Sequence, residues 1–193
     1  ILKRFPKCNL SIDTFRGKVA ALALEAGAGM INDISAWNLD HEMLETIKKF
    51  QPPYVLMHMK GHPKNMQSNP TYKNLIKEIL SFLIKKIELL DQIGIKDVLL
   101  DPGFGFGKTL EHNFSILRNL ESFKTLNTPI LVGISRKSMI TNHLKINKIN
   151  SLNGTTALNM NALSKGAKVL RVHDVLPAME CISLHEKIKN SNE

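Results

Sequence analysis

Cysteine is scarce: Cys8 and Cys181 are the only two in 193 residues. That is too few for a disulfide framework and suits a reducing, cytoplasmic setting. Aromatic side chains make up only 6% of the chain, with a single tryptophan. Nowhere do they interleave with clustered lysines in the way a nucleic-acid surface requires. No apolar run approaches the roughly 20 residues of a membrane span, and no secretory leader is visible at the start. Acidic residues number 17 against 26 lysines and arginines, which leaves a net charge of +9. The excess is scattered over helical stretches, as at Lys73, Lys77, Lys85 and Lys86. It reads as solvated surface that also draws anionic substrates. Neither nucleic acid nor membrane is expected as a partner. Linkers and low-complexity segments are lacking too, so residues 1–193 read as one domain, long enough to bury a core.

What is present centres on Leu99 to Thr109, Leu-Leu-Asp-Pro-Gly-Phe-Gly-Phe-Gly-Lys-Thr. Val98 to Leu100 read as the end of a buried strand, and Pro102 stops the ladder just past Asp101. Glycines at 103, 105 and 107 remove Cβ atoms and admit positive φ, so the backbone can close on a flat ligand. The Gly-Lys-Thr ending suggests a phosphate loop, but Pro102 stands where that loop needs its first glycine. The dinucleotide fingerprint G-x-G-x-x-G is not matched either. A carboxylate at a strand end, two phenylalanines and bare backbone suit a planar, nitrogen-rich ring. The plain alternative is a glycine-rich turn without a ligand.

Apolar patterning predicts strands at Cys8–Ile12, Met30–Ile34, Tyr54–Met59, the run into Asp101, Ile130–Ile134 and Val169–Val172. Helices are predicted over about 16–28, 40–50, 71–93, 111–123, 154–165 and 176–189, with a short one opening at Ser135. Residues 1–7 read as the tail of a helix and 145–153 as a polar surface loop. Such alternation predicts an α/β fold, a parallel sheet with crossover helices. Polar or charged groups stand at every strand end: Asp13, Asn32, His58, Asp101, Ser135 with Lys137, and Arg171 with His173. An open doubly wound sheet gathers its chemistry at one switch point. Chemistry at each strand end is the habit of a (β/α)8 TIM barrel, which has eight strands in about 250 residues. Six strands therefore predict a chain covering barrel strands 3 to 8, with the first two βα units missing.

Six motifs in order carry a resemblance to the dihydropteroate synthase family of pterin-binding barrel enzymes. They are Ser11-Ile12-Asp13-Thr14, Ile31-Asn32-Asp33-Ile34, Leu56-Met57-His58-Met59, Leu100 to Thr109, Gly133 to Ser138, and Leu170-Arg171-Val172-His173-Asp174. The family's opening motif, a strand ending in Asn-x-Thr-Pro-Asp-Ser-Phe, does not occur here, in agreement with the strand count.

The resemblance implies an enzyme that condenses 6-hydroxymethyl-7,8-dihydropterin diphosphate with 4-aminobenzoate, giving dihydropteroate and diphosphate. It implies pterin contacts from Asp13, Asn32, Met57, Asp101, Phe106 and Lys137, with Asp13, Asp101 and Lys137 in the chemistry. A carboxylate such as Asp101 suits the two-donor edge of a pterin. Arg171 and His173 are expected at the diphosphate, Arg171 offering a planar fork for phosphate oxygens. Both are expected to alternate on the last strand and point one way; the plain alternative for Arg171 is an ion pair with Asp174. Phe106 and Ser135 are expected at the aminobenzoate. The resemblance also implies Mg²⁺ on the diphosphate, with its protein ligand outside this chain, and a homodimer.

Other readings stay open. A pterin-binding methyltransferase would share an Asp/Asn pterin site but has no diphosphate to bind. A non-catalytic pterin-binding homologue is the other, and a basic RNA-binding protein has only the net charge behind it. His58 and His62 have metal-like spacing but share no helical face, Asp33 reads as structural, and Trp37 has no assigned role.

Overall fold

The computed structural model describes residues 1–191. Its centre is a parallel sheet in the order β1–β2–β3–β4–β5–β6. The strands are β1 (Ser11–Asp13), β2 (Met30–Asp33), β3 (Tyr54–Met57), β4 (Val98–Asp101), β5 (Ile130–Val132) and β6 (Ala167–Leu170). Between and after them run α1 (Gly17–Glu25), α2 (Glu42–Phe50), α3 (Leu75–Gln92), α4 (Leu110–Arg118), α5 (Ser138–Leu144), α6 (Leu152–Ser164) and α7 (Val175–Asn190). Each strand pairs with the next one in sequence. Arg171, just past β6, forms an ion pair with Asp13 at the end of β1. Contact between the two edge strands means that the sheet curls, so the architecture is an α/β half-barrel.

Period-two alternation sorts the strands into two faces. Ser11, Asp13, Met30, Asn32, Val55, Leu131, Val169 and Arg171 line the concave side. The same alternation puts Met57, Leu99 and Asp101 there, with Asp13 opposite Asn32 and Met57 opposite Asp101 in the ladder. On the convex side, Ile31, Tyr54, Leu56, Leu100, Ile130 and Val132 are fully or almost fully buried under the helices. They pack with Ile47, Ile79, Leu83, Leu90 and Phe123 in one core. Leu and Ile side chains of this kind contribute roughly 1.5–3 kcal/mol each when fully buried.

Helix ends follow local chemistry. Asn74 caps α3 by accepting from the Lys77 N–H at 3.1 Å, which starts the helix later than periodicity alone suggests. Asp40 serves two helices, accepting from Glu42 N at 3.0 Å and from Gly17 N at 2.8 Å. Gly17 is required where α1 meets α2, since a Cβ there would lie 2.4 Å from the Glu42 carbonyl carbon.

Some expectations need correction. Residues 1–7 form turns rather than the tail of a helix. The helix expected over 111–123 ends at Arg118 and gives way to a 3₁₀ segment at Leu120–Leu126. The helix expected to open at Ser135 begins only at Ser138, because Arg136 is left-handed (φ 55°) and Lys137 is extended. The last strand is Ala167–Leu170, not Val169–Val172; Gly166 at φ +103° turns the chain straight into it. Arg171 and His173 therefore lie beyond the strand.

Candidate functional site

The residues expected at strand ends meet at the carboxyl side of the sheet. Asn32 Nδ2 donates to Asp13 Oδ1 at 2.5 Å. Arg171 donates to the other oxygen of that carboxylate. Asn32 is only 7% exposed, and its Oδ1 is buried with no hydrogen-bond partner. A buried acceptor in that condition costs free energy unless a ligand satisfies it. Asp33, one residue on, faces the opposite side. It is fully buried and accepts from Ser35 N and Oγ, Trp37 N and Tyr54 Oη. It braces the β2 exit loop and takes no part in the cleft.

Asp101 is buried at the end of β4, with Oδ1 accepting from Gly103 N at 2.7 Å. Burial pushes its pKa up, while Lys137, the Gly103 N–H, Lys108 and Arg171 pull it back toward the ionised form. The glycine loop is pressed onto the β3 exit: a Cβ at Gly103 (φ +77°) would sit 1.8 Å from the His58 carbonyl oxygen. Asn113 Oδ1 accepts from Gly105 N at 2.6 Å, and Tyr72 Oη donates to Gly107 O at 2.8 Å. Phe104 is fully buried; Phe106 is partly open to the cleft. Lys137 donates to Phe104 O and holds its ammonium 4.9 Å from the centre of the Phe106 ring. Burial lowers the Lys137 pKa, offset by the nearby Asp101 carboxylate.

Phe104, Phe106, Ser135, Lys137, Arg171 and His173 line one cleft of about 520 Å³. Arg171 also borders the concave space beside Asp13 and Asn32, so the two regions join. Ser135 is buried, and its Oγ accepts from His173 N at 3.2 Å and lies 3.0 Å from His173 Nδ1. In this state its hydroxyl positions His173. Asp174 does not pair with Arg171. Its partner is Arg136, whose Nε and Nη2 donate to the two carboxylate oxygens at 2.9 and 2.5 Å. Met57 is buried on the concave face beside Asp101. Among the described residues, no group of three or more His, Cys, Asp or Glu side chains is placed to hold a metal ion.

Arg136, Ser138 and Lys148 also line the cleft, a role the sequence alone does not assign them. Ser138 opens α5, a position only a correct helix start would reveal, and Lys148 lies in a stretch read as plain surface. Lys108 was passed over as a phosphate-loop lookalike. It is buried, 3% exposed.

The pterin-binding enzyme family model matches residues 1–173. A bifunctional dihydropteroate synthase/dihydropteroate reductase of Helicobacter pylori is 37% identical over 98% of this chain and 50% of its own. Dihydropteroate synthase of Escherichia coli is 39% identical over 95% of this chain and 66% of its own. The crystal structure of Yersinia pestis dihydropteroate synthase with a sulfonamide drug complex superposes with a TM-score of 0.94 at 38% identity, covering 99% of this chain and 70% of that one. The chain thus spans half to two thirds of the length of these curated relatives. It belongs to the pterin-binding enzyme family, among the dihydropteroate synthases.

Proposed function

We propose that this chain supplies the pterin pocket and most of the second-substrate cleft of a dihydropteroate synthase, and that its six strands are the last six of an eight-stranded barrel. The observation that carries the reading is the buried, unpartnered Asn32 Oδ1 beside Asp13. It shares the concave face with Asp101, and Lys137 is close enough to shift that carboxyl. A pterin ring offers donors and acceptors at its edge that match these groups one for one. Asp101 accepts from the amino group and adjacent ring N–H, Asn32 Oδ1 takes a further ring donor, and Lys137 donates to the carbonyl side. Met57 and Phe106 form apolar walls.

In the reaction, the bond from the exocyclic methylene carbon to the diphosphate oxygen breaks. The cation left behind is delocalised into the dihydropterin ring. Asp13 and Asp101 face that ring with carboxylates and stabilise the charge as it develops. The amine nitrogen of 4-aminobenzoate then attacks the methylene carbon, and its proton leaves to solvent or to the departing diphosphate. Arg171 and His173 receive the diphosphate; Phe106 stacks near the incoming ring, and the Ser135 to Ser138 turn faces its carboxylate. Mg²⁺ carried on the diphosphate would offset the charge of the leaving group.

Two relatives carry ligands of this kind: Xanthomonas albilineans dihydropteroate synthase is in complex with 7,8-dihydropteroate, and the Clostridium difficile protein was crystallised in the presence of pteroic acid. The test is titration of the chain with the pterin diphosphate, with and without Mg²⁺, and an assay for dihydropteroate from 4-aminobenzoate once two βα units are joined ahead of β1. Micromolar binding of the diphosphate supports the reading. Binding only of a folate without diphosphate would overturn it in favour of a methyltransferase.

A further inference from the structure

Lys108 is a buried lysine that the reaction outlined above does not use. Its ammonium lies 3.0 Å from His58 Nδ1, 3.3 Å from His58 O and 3.0 Å from Phe106 O. The His58 N–H in turn donates to Asp101 O at 3.0 Å, extending the β3–β4 ladder by one rung. One cation thus joins the β3 exit to the glycine loop at Phe106. Burial and the Lys108 charge hold His58 neutral, its pKa near 3. A neutral imidazole presents Nδ1 as an acceptor to Lys108 and keeps its proton on Nε2.

The cost of such an arrangement is large, because a buried ammonium loses its hydration. Methionine or leucine would pack the same space more cheaply. What the charge supplies is visible at Asp101. The Cβ position of Gly103 is 3.1 Å from Lys108 Nζ, and the N–H of that glycine is the one bonded to the Asp101 carboxylate. The other charged or titratable groups around this cluster are Lys60 and His58 at the β3 exit, Tyr72 in the loop that follows, Glu78 on α3, His112 on α4, Lys137 past β5 and Arg171 past β6. Of these, Lys137 and Arg171 face the cleft and are the ones a substrate engages. Lys108 is walled off from it.

We propose that Lys108 is a positioning residue: it latches the glycine loop to the β3 exit and adds a positive charge, beside those of Lys137 and Arg171, that favours the anionic form of Asp101 for the pterin. The proposal rests on the reading of Asp101 as the acceptor of the pterin donor edge. Burial lowers the pKa of Lys108 itself to about 7, so the ammonium is charged on the acid side of that value. Removing the charge lets Asp101 take up a proton at higher pH, and a protonated carboxyl no longer accepts two hydrogen bonds.

The experiment is calorimetric titration of a pterin lacking the diphosphate, from pH 5 to 8, with the wild type, Lys108→Met, Lys108→Gln and Asp101→Asn. The wild type should lose affinity on the acid side. In Lys108→Met the midpoint of that loss should move up by half a pH unit or more, with about tenfold weaker binding at pH 8. Lys108→Gln keeps hydrogen-bond donors to the two carbonyls, so it should recover part of the affinity at pH 8 but not the midpoint. It also carries the test if the methionine variant fails to fold. An unmoved midpoint in a folded Lys108 variant, with Asp101→Asn unable to bind, would overturn the role given to Lys108 alone. Wild-type binding by Asp101→Asn would overturn the site reading and this inference with it.

Discussion

Asp101 and Asp33 are both buried carboxylates at strand ends, yet their surroundings give them opposite duties. Asp33 has its acceptor capacity taken up by four protein donors. Asp101 accepts from one backbone N–H. Asp33→Asn should therefore cost stability, about 2–3 kcal/mol from lost charge-assisted bonds, seen as a lower denaturant midpoint. Asp101→Asn should leave the melt nearly unchanged and lose roughly 3 kcal/mol of pterin binding and transition-state stabilisation. Near-wild-type kinetics would remove Asp101 from the mechanism. His58 makes a prediction about acid. Its folded pKa, about 3, lies below the ordinary 6.5, so the unfolded chain binds a proton that the native one refuses. The stability it contributes is present above pH 6.5 and is lost as pH falls toward 3, by about 1.4 kcal/mol per pH unit. Urea unfolding at pH 7 and pH 5 checks it; the slope should flatten in His58→Leu.

At the scale of elements, the strand exits carry the proposed site and the helix contacts carry the stability. Gly17→Ala should destabilise by about 1–3 kcal/mol, because its methyl meets the backbone at the start of α2. Circular dichroism melts would show it, with pterin affinity intact. Arg171 and His173 lie beyond β6 and open on the cleft. Arg171→Met should weaken the pterin diphosphate at least tenfold more than the pterin alone, and His173→Ala should do so more mildly. Equal loss for both ligands in the same titration would assign these residues to the ring or the fold.

Most strand exits are legible in the sequence because period-two patterning is a local signal, sharpened by Pro102 after β4 and Gly133 after β5, although β6 lies two residues ahead of its expected place. The pairing of Arg136 with Asp174, and of Ser135 with His173, is not legible. Each joins loops 38 positions apart and depends on a left-handed Arg136, which no composition rule predicts. Lys108 was hidden for another reason: a lysine after glycine reads as surface or phosphate loop until its burial is seen.

The whole molecule has two unpaired edges, since β1 and β6 hydrogen-bond only to β2 and β5 among the described residues. Unpaired edges of a parallel sheet invite association. On α7, Leu176, Met179, Leu184 and Ile188 are each at least 60% exposed, which adds apolar surface without cover. The chain alone should therefore melt early, tend to associate in light scattering, and show no synthase turnover. Joining two further βα units ahead of β1 should raise the melting temperature and bring turnover. A cooperative melt with robust turnover from these 193 residues would refute the eight-strand reading.

The strictly sequential strand order bears on how the protein is made. Each unit finds its partner in the chain just before it, so the sheet can be laid down strand by strand as the polypeptide leaves the ribosome, without waiting for the carboxyl terminus. The ion pair between Arg171 and Asp13, 158 positions apart, is the exception and forms only once residue 171 has been made. Nascent chains stalled before residue 167 should already protect β2 to β4 from proteolysis, while the pterin site, which needs both ends of that pair in place, comes together last.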